Sequence, residues 1–263
     1  MYVPMAKLLR PEGLIEHWPE WGAGLRSSPV LLNKLSGGRS NLSFLLNSDI
    51  GKLVLRINGT GSLLPGADRH SEIHIWQEAS KQGLAPPLLF IAPQNQYLVS
   101  SYIKNELPSE PQVNSPFVEQ AFTILERCHQ LDIKAPTINY ADHIEGYWHM
   151  IESLGKPPDP VLSQQRKPML LLLESLLDSN TPTGLCHHDP VIANFIGTPQ
   201  RLYLTDWEYA ANGLQIMDYA ALATEWALDD IVVLDRTPFE PESLVKARAL
   251  YRYLCLLWEN LND

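Results

Sequence analysis

The stretch Cys186-His187-His188-Asp189-Pro190-Val191-Ile192-Ala193-Asn194, followed by Leu204-Thr205-Asp206-Trp207-Glu208, constrains this chain more than any other part of it. It holds a His-x-Asp-x4-Asn cluster, and a second Asp stands twelve positions after that Asn. The apolar run Leu202-Tyr203-Leu204 leads into Asp206 and predicts a short strand ending there. Moving a phosphoryl group from a nucleotide needs one carboxylate to orient and deprotonate the accepting hydroxyl. It also needs hard oxygen ligands that hold Mg²⁺ against the phosphates. An Asp and an Asn five residues apart on one loop can face a common cleft, with the third oxygen ligand arriving from a neighbouring hairpin. Asp-Pro followed by Asn is also ordinary turn chemistry. His187 and His188 do not make an imidazole metal site by themselves, because no second His or Cys cluster stands at ligand spacing.

The segment resembles the Brenner-type motif of the aminoglycoside phosphotransferase and choline kinase superfamily, in which a His-x-Asp-x4-Asn loop precedes a Mg²⁺-binding Asp. Asp206-Trp207-Glu208-Tyr209-Ala210 is similar to the choline kinase and bacterial thiamine kinase branches rather than the drug-resistance branch. The resemblance runs from about Leu35 to Leu222. It implies an α+β, two-lobed protein-kinase-like fold. A small antiparallel-sheet amino-terminal lobe with the hinge would occupy residues 1–103, and a mainly helical carboxy-terminal lobe residues 104–263. ATP and Mg²⁺ are the implied cofactors, with Asp189 as catalytic base and Asn194 and Asp206 as metal ligands.

A kinase of this kind needs a phosphate-covering loop, a cation on a strand and an acidic partner on a helix. Gly37 and Gly38, between apolar segments, suit a hairpin whose backbone approaches phosphates closely. Lys52-Leu53-Val54-Leu55-Arg56-Ile57 is a strand by its content and places Arg56 where the general pattern has Lys. Arg is a planar fork, not a point charge, and it is found at this place in the choline and thiamine kinase branches. Residues 69–79 are helical by periodicity and carry Glu72 as the acidic partner, with Glu78 as the alternative. Gln96 to Ile103 resembles the last small-lobe strand running into the hinge, so Ser100, Ser101 and Tyr102 would offer main-chain contacts to an adenine edge.

Beyond the hinge the pattern is helical. Pro116 to Leu131 is amphipathic, with Pro116 in a first-turn position and Ser115 as candidate cap. Its Cys-His-Gln-Leu end resembles the Leu-His-x-Leu of the family, which gives His129 a packing role against the catalytic loop. Asp218 opens an apolar helix, where an Asp is an ordinary cap. The resemblance makes Asp218 and His187 structural supports of the loop. Met169 to Leu173 reads as a buried helix segment, and no apolar run approaches the roughly 18 residues of a membrane span.

Substrate and setting follow from charge and aromatics. A net charge of −10 argues against nucleic acid, whose phosphates are met by basic clusters, and favours cationic small molecules. Three widely spaced cysteines suggest reduced thiols in a cytoplasmic protein, and the amino terminus lacks a signal-peptide pattern. A cationic acceptor would lie over an aromatic face near a carboxylate. Glu208, Trp148 and Trp226 are the candidates for this. Tyr147-Trp148 and the compact length resemble the thiamine kinase branch, so thiamine comes first among acceptors and choline or ethanolamine next. An aminoglycoside-type phosphotransferase and a non-catalytic kinase-fold nucleotide binder are the alternatives.

Overall fold

The computed structural model describes residues 10–35, 41–59, 68–155, 159–178 and 180–262. Gly37 and Gly38 lie outside the described residues. The chain divides into two compact units, one comprising Met1–Leu63 with Trp76–Asn105 and the other Leu64–Ile75 with Glu106–Asp263.

The first unit is built on an antiparallel sheet. Short helix α1 (Pro11–Ile15) and a 3₁₀ turn at Trp18–Trp21 precede β1 (Val30–Lys34), β2 (Asn41–Ser48), β3 (Gly51–Asn58), β4 (Leu88–Ile91) and β5 (Tyr97–Ser101). Among the described residues these strands form one sheet in the order β1-β2-β3-β5-β4. β2 and β3 make a hairpin with Ser48 opposite Gly51 and Ser43 opposite Arg56. β-branched and leucine side chains on β3 and β5 supply the core: Leu53, Leu55, Ile57 and Val99 pack with Trp21, Tyr97, Leu14 and Ile15. Burial of this apolar set is the main favourable term for the unit. Helix α2 (Arg69–Lys81) follows β3, and its second half belongs to this unit.

The second unit is mainly helical. It contains α3 (Pro116–His129), α4 (Tyr140–Ser153), α5 (Pro160–Leu177), α6 (Gln215–Glu225), α7 (Asp230–Leu234) and α8 (Pro241–Asn262). Four short strands, β6 (Thr183–Cys186), β7 (Phe195–Thr198), β8 (Arg201–Leu204) and β9 (Ala211–Leu214), sit between α5 and α6. They pair as two antiparallel ribbons, β6 with β9 and β7 with β8. A small antiparallel sheet and a mainly helical part are the expected fold class; the units differ from the expected ranges 1–103 and 104–263 in that the second takes in Leu64–Ile75.

Local rules account for the helix starts. Pro116 and Pro160 occupy first-turn positions, and Asp159 accepts from the amides of Val161 and Leu162 at the head of α5. Ser115 stands at the N-cap of α3, but its side chain makes no capping hydrogen bond. The Met169–Leu173 run is only partly buried: Leu173 is inside, while Leu171 is 56% exposed. α5 presents one stripe, Leu162, Leu173 and Leu176, to the interior, so four consecutive leucines cannot all be buried. No helix among the described residues is long and apolar enough to cross a membrane.

Candidate active site

The site is assembled by the two ribbons. β6 ends at Cys186 and delivers His187, His188 and Asp189; the 3₁₀ turn Ile192–Asn194 then leads into β7. β8 ends at Leu204 and delivers Asp206, Trp207 and Glu208 before β9 begins. The strand expected to end ahead of Asp206 is therefore β8. His188 and Asp206 have φ of +64°, a left-handed conformation that costs a non-glycine residue about 1 kcal/mol or more. Backbone strain of this kind persists only where surrounding contacts over-determine it.

Those contacts centre on Asp218. Its carboxylate is fully buried and accepts from the amides of His187 (2.8 Å) and His188 (2.7 Å), and from His129 Nε2 (3.0 Å). Burial alone would raise its pKa, but the His129 hydrogen bond and the three neighbouring histidines bring it down to about 2. Asp218 is not a helix cap. The N-cap of α6 is Leu214, and Asp218 sits in the first turn with its side chain turned onto the loop. His129, at the end of α3, is thus joined to the loop through Asp218.

His187 fixes the other side of the loop. Its Nε2 donates to the Thr205 carbonyl at 3.0 Å and its ring meets Trp207 edge-on at 4.9 Å. Thr205 in turn donates through its amide (2.9 Å) and its hydroxyl (3.1 Å) to the Asn194 carbonyl. The two ribbons are cross-linked immediately before Asp206. Both His187 and His188 are held below the ordinary imidazole pKa, first by burial, and are neutral near pH 7.

Asp189 and Asn194 meet directly. Asn194 Nδ2 donates to Asp189 Oδ2 at 2.8 Å and to the Asp189 carbonyl at 2.9 Å. Both donations come from the Asn194 amide nitrogen, so its Oδ1 takes no part in the contact with Asp189. Burial, then the charge of Asp206, pushes the Asp189 pKa up to about 7; the Asn194 hydrogen bond opposes this, and Glu208 and Glu225 add to it. Three further carboxylates acting on Asp189 make an arrangement that a divalent cation relieves. The donor set here, an amide oxygen and carboxylates, is of the hard kind that suits Mg²⁺.

The aromatic candidates sit differently from expectation. Trp148 is 2% exposed, donates its Nε1 to Tyr253 at 3.1 Å and has Arg166 stacked at 5.1 Å. Trp226 is 3% exposed and meets Phe195 edge-on at 5.1 Å. Both indoles are packing residues whose faces are taken by protein. Three tyrosines, Tyr147, Tyr209 and Tyr251, instead feel the Asp189 charge. Tyr147 and Tyr209 are hydrogen-bonded to each other, and Tyr251 donates to Glu225 at 3.0 Å. Burial raises all three phenols, and the Asp189 charge contributes to each. The stripe Ile144, Tyr147, Trp148, Ile151 on α4 has helical spacing and marked Trp148 as core. Tyr209 and Tyr251 gave no comparable signal.

In the first unit, Arg56 is buried on β3 with its guanidinium 4.9 Å over the Trp76 ring. Ser100 is buried between β3 and β4, opposite Val54 and Leu88. The Tyr102 amide donates to the Lys52 carbonyl at 3.0 Å and the Ser101 amide to Pro87 at 2.9 Å, so neither N–H is available for a hinge contact. In the second unit, Glu72 is buried and accepts from Arg69 one turn earlier. His129, Cys186 and Asp218 place ligand-type atoms within 4.8 Å of one another, a grouping their sequence spacing did not reveal. The Asp218 oxygens there are already engaged by N–H donors, and burial holds the Cys186 thiol well above its usual pKa, which disfavours a thiolate ligand.

Residues 32–237 match the family model described as "Phosphotransferase enzyme family". A curated relative, the LicA homolog of Metamycoplasma hominis, is 31% identical over 109 residues, 40% of this chain. The chain spans 42% of the length of that relative. Among solved structures, choline kinase LicA from Streptococcus pneumoniae is similar at TM-score 0.72 and 22% identity, covering 88% of this chain and 86% of that one. A structure of LicA in complex with AMP is similar at TM-score 0.71 and 20% identity, covering 95% and 89%. These likenesses give the two-lobed kinase-like fold.

Proposed function

From the chain's membership of the phosphotransferase enzyme family we propose that it transfers the terminal phosphoryl group of ATP to the hydroxyl of a small cationic alcohol, choline or ethanolamine before thiamine. One observation carries the reading: Asp189 is held by Asn194 on a loop clamped to Asp218, with Asp206 close enough to perturb its charge. Asp189 orients the acceptor hydroxyl and takes its proton. Asn194 and Asp206 are the residues that would hold Mg²⁺, which supplies charge neutralisation at the phosphates when bound. Arg56 and Glu72 are both assigned to the nucleotide side, Arg56 to the α- and β-phosphates.

The order of acceptors departs from the one expected at the outset. Thiamine rested in part on Trp148, which is core, whereas the similar Streptococcus pneumoniae structure is named a choline kinase. On the acceptor side we assign Tyr209, which is part-exposed, as an aromatic face and Glu208 as carboxylate, a combination suited to a cation; Tyr147 and Tyr251 are buried. The test is ADP release across choline, ethanolamine, thiamine and several aminoglycosides. Acceptor-dependent turnover with a cationic alcohol is expected, and Glu208→Gln should raise the KM of that alcohol more than that of ATP. ATP binding without turnover on any alcohol would favour a non-catalytic nucleotide binder.

A further inference from the structure

Two adjacent histidines on the catalytic loop are fastened to different segments. His187 reaches Thr205, ahead of Asp206. His188, turned by its positive φ, reaches past Asp206: its Nδ1 lies 3.2 Å from the Tyr209 carbonyl and its Nε2 2.9 Å from the Tyr140 hydroxyl. A carbonyl can only accept, so Nδ1 carries the ring proton. The neutral ring then accepts at Nε2, and Tyr140 donates to it. The same Tyr140 oxygen accepts from the Leu214 amide at 3.0 Å. The relay Leu214 N–H, Tyr140 O–H, His188 ring, Tyr209 C=O therefore pins both ends of the 209–214 segment to the residue beside Asp189.

Gly213 is shaped by this relay. A Cβ there would lie 2.5 Å from the Tyr140 hydroxyl and 2.7 Å from His188 Nε2, so only glycine lets the two rings meet. Glu208 and Tyr209, carried at the start of the pinned segment, both interact electrostatically with Asp189. Tyr209 also bonds Tyr147. Asp206 lies upstream and is secured by other contacts: Thr205 to Asn194, and Trp207 Nε1 to the Leu204 carbonyl at 3.2 Å.

We propose that His188 is a positioning residue for the acceptor alcohol, setting Glu208 and Tyr209 relative to Asp189 and leaving the metal-ligand side to His187. The inference rests on the phosphotransfer reading above. Its test uses the full-length chain, with choline, ethanolamine and thiamine as acceptors. His188→Gly keeps the left-handed backbone accessible and removes both ring contacts. His188→Asn also tolerates that backbone and returns an amide N–H near the place of Nδ1. His188→Gly should raise the acceptor KM about tenfold or more, as expected for misplacement of a binding group, with the ATP KM unchanged within about twofold. His188→Asn should recover most of the loss, and Gly213→Ala should reproduce it. Hydrogen exchange over residues 205–214 should quicken in His188→Gly and stay near wild type in His188→Asn.

Equal rises in both KM values, a wild-type acceptor KM in His188→Gly, or unchanged exchange would overturn the assignment. A wild-type protein with no acceptor-dependent turnover overturns the phosphotransfer reading and this inference with it. An active wild type with silent His188 variants overturns this inference alone.

Discussion

Replacing Asp189 by Asn should lower turnover sharply and stabilise the fold, and the second effect has a defined pH signature. The Asp189 pKa rises from 3.8 to about 7, roughly three units, first because of burial and then because of Asp206. At about 1.4 kcal/mol per unit, the full cost of ionising it in the folded protein is about 4 kcal/mol. Asp189 is half-buried, so solvent screens part of this, and about 1–2 kcal/mol is the working figure. The sign follows from proton binding. Below pH 4 the carboxyl is protonated in folded and unfolded chains alike, and it costs nothing. As pH rises toward 7 the unfolded chain releases the proton first, so stability falls and the cost is complete above pH 7.

Asparagine removes the charge and keeps an oxygen that accepts from Asn194 Nδ2, so the 2.8 Å hydrogen bond survives. Melting curves in EDTA should place Asp189→Asn roughly 3–6 °C above wild type at pH 8, with the gap closing near pH 4. Turnover should drop by a factor of about 10² or more while ATP affinity stays close to wild type. A variant that melts below wild type at pH 8, or a gap that does not change with pH, would refute the electrostatic argument. Near-normal turnover would remove Asp189 from the chemistry.

Asp206→Ala should lose Mg²⁺-dependent ATP binding, whereas Asn194→Ala should be milder and partly rescued by more Mg²⁺; unchanged Mg²⁺ titrations in both would sink the ligand assignment. Asp218→Asn should cost about 3 kcal/mol, since one amide oxygen cannot accept from both loop amides and His129, and kcat should fall with it. The Asp218 pKa near 2 also means that its stabilisation, about 2 kcal/mol, is present above pH 4 and fades as pH falls through 2, so the variant should lose the corresponding acid-unfolding step. Glu72→Gln should raise the ATP KM if Glu72 serves the phosphate cation; a lower melting temperature with unchanged KM would mean that its pairing with Arg69 is its whole role.

The reach of sequence reasoning in this site tracks the separation of the partners. Asp189 and Asn194 are five residues apart on one loop, so that both could face one cleft was legible from spacing; the direct hydrogen bond between them was not. Asp206 was legible because an apolar run fixed the strand ahead of it. Asp218 could be named as a brace from its interval, but its assignment as a cap failed: the helix starts earlier, and a buried carboxylate finds three N–H donors more favourable than one exposed turn. The tyrosines were missed. Tyr140 meets His188 across 48 residues, and Tyr251 meets Glu225 across 26, intervals on which no periodicity reports. Trp148 illustrates the opposite error. A large aromatic near a motif suggested a ligand wall, although its own helix already placed it on the buried stripe.

The contacts also explain why the loop tolerates strain at both of its chemically important turns. His188 and Asp206 each occupy the left-handed region, and each adjoins a residue that is tied down independently. Asp218 holds the amides of His187 and His188, while Thr205 is held by Asn194 on one side and His187 on the other. At about 1.5–3 kcal/mol for each hydrogen bond to a buried charge, the two donated to Asp218 exceed the cost of one strained residue. The strain is therefore set by the ribbon geometry and does not depend on a ligand. Under the proposed phosphotransfer, Asp189 and Asp206 would enter the site already placed, so binding could be spent on orienting the alcohol and the phosphates.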